Sequence, residues 1–234
     1  MQIRPQPCTD ANSAARPINR RRALQAMAAA LAATGLPGQL RAAPGGTRAV
    51  VGAAWRGPRA DDPNFAGTLV ADWEARSLAF GYKVPLPSRP HGLMAEADGG
   101  LLVCSARPGT WMLRCDGEGK VVHRIDVQAE GDCRLGGHVI ASADGERLYT
   151  TETDFASGRG KVGVRDRHTL AKIAEWDTHG LDPHQLLLDG HGHLFVANGG
   201  IPRTLQDRKV DIHRMDASLV RIDTTNGQLL GKWK

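Results

Sequence analysis

Three stretches of the chain can be laid over one another, and this self-similarity restricts the fold more than any other feature. They are Arg89-Pro-His-Gly-Leu-Met-Ala-Glu-Ala-Asp-Gly-Gly-Leu-Leu-Val-Cys104, Gly136-Gly-His-Val-Ile-Ala-Ser-Ala-Asp-Gly-Glu-Arg-Leu-Tyr-Thr-Thr151 and Asp182-Pro-His-Gln-Leu-Leu-Leu-Asp-Gly-His-Gly-His-Leu-Phe-Val-Ala197. Each gives a histidine, a short apolar strand, a turn containing Asp-Gly and a second apolar strand. The histidines, His91, His138 and His184, are 47 and 46 residues apart. A second pattern is interleaved: short strands ending in Asp72, Asp116, Asp166 and Asp223 each enter a turn and continue into another alternating strand. Asp and Gly suit such tight connections. One period is therefore four short strands in about 45 residues, the size and content of a β-propeller blade. A single twisted sheet cannot bury both of its faces, and blades stacked around an axis bury them against each other.

The units at the two ends are irregular. Residues 47–85 hold three expected strands, near 49–55, 68–73 and 78–84, without the strand that carries histidine elsewhere. The last unit runs to Trp233 with its outer strand. The expected fold is all-β: a β-propeller domain over residues 44–234 with about four blades present. The favoured reading is a shortened form of a larger propeller, and the other is a ring closed by several chains.

Charge assigns the beginning of the chain a separate role. The formal net charge is +5, yet six arginines and one acid (Asp10) lie in residues 1–43 and account for all of it. Residues 44–234 are neutral overall, which argues against a polyanion-binding surface and so against nucleic acid as a partner. Arg20, Arg21 and Arg22 precede a mild apolar stretch from Ala26 to Leu36 and a small-residue zone at Ala42 and Ala43. That order is that of an export signal, and Arg20-Arg21 with Leu24 is similar to the twin-arginine type, departing from it at Asn19 and Ala23. Residues 1–43 are thus expected to be a signal peptide read by the twin-arginine export machinery, with the remainder in the periplasm. No run of roughly 18 apolar residues is present, so no membrane span is expected. Beyond the leader stand Cys104, Cys115 and Cys133, an odd number with spacings foreign to zinc motifs. Cys104 and Cys115 fall in alternating strand patterns, where a small buried hydrophobe is expected.

The stretch from Gly137-His-Val-Ile-Ala-Ser through Thr151-Glu-Thr-Asp-Phe155 and Gly158-Arg-Gly160 to Asp166, followed by Asp182-Pro-His-Gln-Leu and Val196-Ala-Asn-Gly-Gly-Ile201, resembles the DUF1513 family of exported, uncharacterised proteins. The likeness runs over residues 46–234. It implies a seven-bladed ring, against which four units are incomplete, and a twin-arginine leader. It implies no established activity, and it suggests periplasmic iron-uptake proteins as partners, beside whose genes those of the family often lie.

Equivalent positions in three consecutive blades should place His91, His138 and His184 around one mouth of the central channel, facing one another. Imidazole is the commonest transition-metal ligand among side chains, so a metal or anion site is geometrically accessible there; the alternative is that each histidine bonds a neighbouring blade. Glu152 and Asp154, expected just after the second strand of their blade, are candidate carboxylate ligands or partners of loop amides. Asn198 opens a long connection over residues 199–217, where Arg203 either contacts a ligand or belongs to a solvated charged loop. Arg159, between two glycines, has the planar fork to orient a carboxylate or phosphate. No nucleophile elbow, phosphate loop, HExxH or paired CxxC occurs. The function expected is binding of a ligand, metal or protein partner at the channel mouth; the alternative is a metal-dependent, lactonase-like hydrolase or oxidoreductase.

Overall fold

The structure, a computed structural model, describes residues 47–59 and 61–234. The signal peptide expected over residues 1–43, with Arg20, Arg21 and Leu24, lies outside the described residues. Fifteen strands form four antiparallel sheets. Blade 1 has three strands, β1 (Arg48–Arg56), β2 (Asn64–Asp72) and β3 (Ser77–Leu86). Blade 2 has β4 (Pro90–Ala95), β5 (Leu101–Ser105), β6 (Trp111–Cys115) and β7 (Val121–Asp126). Blade 3 has β8 (Cys133–Ala141), β9 (Arg147–Asp154), β10 (Gly160–Asp166) and β11 (Lys172–Asp177). Blade 4 has β12 (Pro183–Leu188), β13 (Leu194–Asn198), β14 (Ser218–Ile222) and β15 (Leu229–Trp233). Among the described residues there is no α-helix, and no helix long and apolar enough to cross a membrane. Within each complete blade the strands lie in sequence order, and β4, β8 and β12, the histidine strands, are neighbours at the hub. Blade 1 has three strands as expected, although β2 begins four residues early, because β3 continues to Leu86 and pairs with it.

The turns follow from the aspartates. Asp72, Asp116, Asp166 and Asp223 each accept a bond from a backbone N–H two to four residues on, at Ala75, Glu118 and Lys120, His168 and Thr169, and Thr225 respectively. Asp98, Asp144 and Asp189 do the same in the hairpins that follow the histidine strands. A side-chain oxygen thus takes the place of a backbone acceptor in each turn.

Strand alternation produces the cores. In β5, Leu101 and Val103 point toward blade 1, where they meet Ala66, Val84 and Leu86; Leu102 and Cys104 point toward blade 3, where they meet Leu135, Val139 and Leu148. A third core joins Tyr149, Val162 and Val164 of blade 3 to Leu186, Leu194, Val196, Val220 and Ile222 of blade 4. Fully burying one such side chain contributes about 1.5–3 kcal/mol. Cys115 belongs to the first core and Cys104 to the second, and both are free thiols, as is Cys133. The central blades are apolar on both sides for this reason, whereas large side chains of blade 1 (Leu78, Phe80) and blade 4 (Leu187, Trp233) remain exposed.

Candidate functional site

All three repeat histidines stand where the inner strand breaks register with its neighbour. Pro90 pairs with Ser105 and Gly92 with Cys104, so His91 is an extra residue in β4. Pro183 pairs with Asn198 and Gln185 with Ala197, so His184 is an extra residue in β12. In β8 the break is wider: Leu135 pairs with Glu152 and Val139 with Thr150, which leaves Gly136, Gly137 and His138 opposite Thr151 alone. A β-bulge re-aims a side chain that regular pleating would send elsewhere. Here three bulges turn three imidazoles to the same place. The His91 and His138 ring centroids are 4.7 Å apart at 81°, those of His138 and His184 4.7 Å at 67°, and those of His91 and His184 6.2 Å. Nε2 of His91 lies 3.1 Å from Nε2 of His138.

The approach depends on glycine. Gly137 has φ of +103°, and a Cβ there would press on the His91 ring. A Cβ on Gly92 would strike the carbonyl oxygen of Gly137. Any other residue at either position would drive β4 and β8 apart.

Burial and nearby charge favour the neutral form of two of the three rings. Burial, reinforced by His91, His184 and Arg107, pushes His138 down to about 4. His91 is lowered by burial and by His184, Arg89 and Arg107. Two neutral rings at 3.1 Å suit an N–H···N bond, one tautomer donating and the other accepting. Beside the rings a cleft of about 100 Å³ is lined by Arg89, His91, Ala106, Arg107, Gly136, His184 and Asp207. Arg107 bonds Asp182 through Nη1 at 3.0 Å, with Nε 3.5 Å from Asp207. Arg203 bonds the same two carboxylates, Asp182 at 3.1 Å and Asp207 at 2.9 Å. Arg203 therefore belongs to a clamp that ties the long loop of blade 4 to blade 2 at the edge of the site.

The other residues singled out by sequence lie elsewhere. Glu152 and Asp154 are inside β9 rather than after it. Glu152 is buried, its oxygens taken by Arg165 at 2.8 Å, Lys172 at 2.7 Å and the Thr150 hydroxyl at 2.8 Å, so it is a member of an ion network and not a fourth arm of the histidine cluster. Asp154 accepts the Ala156 N–H and the Ser157 hydroxyl, the loop-amide role. Arg159 grips Asp177 through Nε at 3.0 Å and Nη2 at 3.3 Å. Asn198 is buried and donates to the Thr178 carbonyl in the connection between blades 3 and 4 and to the Ser218 hydroxyl of β14. Arg89 and Arg107 went unnoticed in the sequence, although a signal was available: the residue two places before each histidine is Arg89, Gly136 or Asp182, a repeat position whose chemistry changes from blade to blade.

Among the described residues, one set of three metal-ligand side chains brings its ligand atoms within 4.8 Å of one another, and it is Cys133, Glu152 and Glu175. It does not suit a cation. Lys172 already lies 3.0 Å from Glu175 as well as on Glu152, and burial pushes the Cys133 thiol up to about 12, leaving it protonated. A cation there would have to displace Lys172 and deprotonate that thiol. The histidines offer uncharged nitrogen donors instead: His91 and His138 bring theirs to 3.1 Å, and His184 stands in edge contact with His138, its ring centroid 6.2 Å from that of His91.

A family model described as "Protein of unknown function (DUF1513)" matches residues 84–234. The chain belongs to the DUF1513 family. Among curated proteins none matches this DUF1513 chain in sequence. Solved structures do. Hydrazine synthase from Kuenenia stuttgartiensis is similar over 73% of this chain and 45% of its own, at 17% identity and a TM-score of 0.52. The WD40 β-propeller domain of Doa1 is similar over 74% of this chain and 51% of its own, at 13% identity and a TM-score of 0.49. The chain thus spans about half the length of the structures it matches. At these identities the likeness concerns fold, and the fold of this DUF1513 chain is that of a β-propeller.

Proposed function

We propose that this DUF1513 chain is an exported, periplasmic propeller that binds a transition-metal ion at its hub through His91, His138 and His184, serving metal acquisition such as iron uptake rather than a catalytic step. One observation carries the reading: three bulged inner strands converge three imidazoles, with Nε2 of His91 and Nε2 of His138 at 3.1 Å. Two nitrogens bound to one metal at 2.0–2.1 Å stand roughly 2.9–3.4 Å apart in octahedral or tetrahedral geometry, which includes this spacing. His91 and His138 are held neutral by burial and by the charges around them, so each keeps one unprotonated ring nitrogen near pH 7, as a metal ligand needs. Export agrees with the arginine-rich leader, and metal acquisition with imidazole donors, which suit iron, copper, nickel and zinc.

The test is titration of purified protein with Cu²⁺, read by electron paramagnetic resonance. One equivalent bound with nitrogen hyperfine splitting from at least two imidazoles is expected, and His138→Ala should abolish it. Identical binding by the wild type and a His91→Ala, His138→Ala, His184→Ala triple variant would overturn the reading.

A further inference from the structure

We propose that the hub cleft receives the metal together with a carboxylate ligand, as an anionic chelate, with the imidazoles of His91 and His184 reaching the metal and the guanidiniums of Arg89 and Arg107 holding the carboxylate. The inference rests on the metal reading above and narrows it to a class of complex.

The argument begins with charge. The walls of the cleft put two guanidiniums beside two imidazoles. Across the site, three guanidiniums (Arg89, Arg107, Arg203) face two carboxylates (Asp182, Asp207), and the carboxylates are shared between Arg107 and Arg203. The surplus positive charge falls on Arg89, which has no carboxylate within ion-pair reach among the described residues. Arg107 spends Nη1 on Asp182 and leans Nε toward Asp207, leaving Nη2 without a partner among the described residues.

A bare divalent cation taken up by the imidazoles binds against the repulsion of both positive groups, which weakens its hold without preventing it. A metal that keeps a carboxylate in its coordination sphere reverses the sign of that encounter. The metal accepts imidazole nitrogens, which carry no charge, and the carboxylate oxygens accept N–H bonds from Arg89 and the free edge of Arg107. Guanidinium presents its donors as a planar fork that matches a carboxylate, which a lysine would not. Arg89 and Arg107 line the same cleft as His91 and His184, so these charges stand on the walls the complex would meet. Asp182 supports the arrangement from beneath. It is buried, and by accepting from both Arg107 and Arg203 it fixes the Arg107 side chain at the cleft wall.

Equilibrium dialysis with Cu²⁺ and radiolabelled citrate tests the proposal on the exported protein. Three arms are compared: Cu²⁺ alone, citrate alone and both together. Citrate should be retained only in the third arm and about equimolar with copper. Arg89→Gln should lower the ratio of citrate to copper retained by roughly tenfold, the loss of one charge-assisted pair of bonds; Arg89→Lys should recover only part of it. If copper binds alone but citrate merely strips it, with no label held by the protein, this inference falls and the metal site stands. If citrate is retained equally without copper, the inference falls as well, since the arginines then act apart from the metal. If copper is held in no arm, both readings fall together.

Discussion

Blade 3 contains two polar clusters on neighbouring strands, and they differ in how fully their hydrogen-bonding capacity is used. Arg165, wholly buried, donates to Thr150, Glu130, Glu152 and the Leu170 carbonyl, and Lys172 closes the other side of Glu152. Every charge in that network has its counterpart. His138, on the adjoining strand β8, has one nitrogen near His91 and a second ring in edge contact at His184, and the cleft beside it carries a guanidinium with no carboxylate. A saturated cluster holds a fold together, and an unsaturated one at a cleft has bonds left to give a ligand.

The sharpest way to break this contrast is to remove one member from each cluster. Glu152→Ala takes away the buried carboxylate shared by Arg165 and Lys172, and loss of about 3–5 kcal/mol is expected in chemical denaturation. Copper binding by the folded fraction should survive. A loss below about 1 kcal/mol would show that the network is not what fixes blade 3 against Glu130 and β11. His138→Ala should do the reverse, changing stability by no more than about 1 kcal/mol while abolishing the copper signal.

How much of this was legible in the sequence differs between the two clusters for a physical reason. The histidines were legible because a blade repeats: equal spacing along the chain becomes equal position around an axis, whatever the details of packing. The hairpin aspartates were legible for the same reason, since each bonds the backbone within four residues. Glu152 was misplaced because its partners are Glu130's neighbour Arg165 on β10 and Lys172 on β11, and which face of β9 a side chain takes depends on pairing register. The register breaks at His91, His138 and His184 were invisible too, as a bulge is a property of two strands and not of one. Arg89 escaped because the repeat position it fills changes chemistry from blade to blade, and Arg107 because it lies outside the repeat and is set by Asp182 and the long loop of blade 4.

Acid offers a gentler separation of the clusters. Because His138 titrates near 4 in the fold against 6.5 for an unperturbed histidine, the unfolded chain binds more protons between those values. Stability contributed by the neutral ring is therefore complete above about pH 6.5 and lost as pH falls toward 4. The ring proton resonances of His138 should move with a midpoint near 4, and His138→Asn should flatten the fall in stability over that window. An unchanged fall would place its origin outside the hub.

The smallest effect belongs to Arg159, which sequence put forward as an anion-binding residue and which the fold pairs with Asp177. Its guanidinium is half exposed, so the pair is screened by solvent and salt even though two bonds are made. Burial raises the Asp177 carboxyl, but the bonds from Arg159 and the His179 N–H outweigh it and hold the group below the ordinary range. A lowered carboxylate stabilises above its unfolded value and ceases to do so as pH drops below it. Arg159→Ala should thus cost about 0.5 kcal/mol at neutral pH and low ionic strength, and nothing measurable in 1 M salt, where the Debye length is about 3 Å. Copper and citrate retention should not respond to it at all, because its donors are spent within blade 3. A response would mean that an exposed, paired arginine still takes part in binding, and the rule that separates the two clusters, saturation of their bonds, would no longer hold.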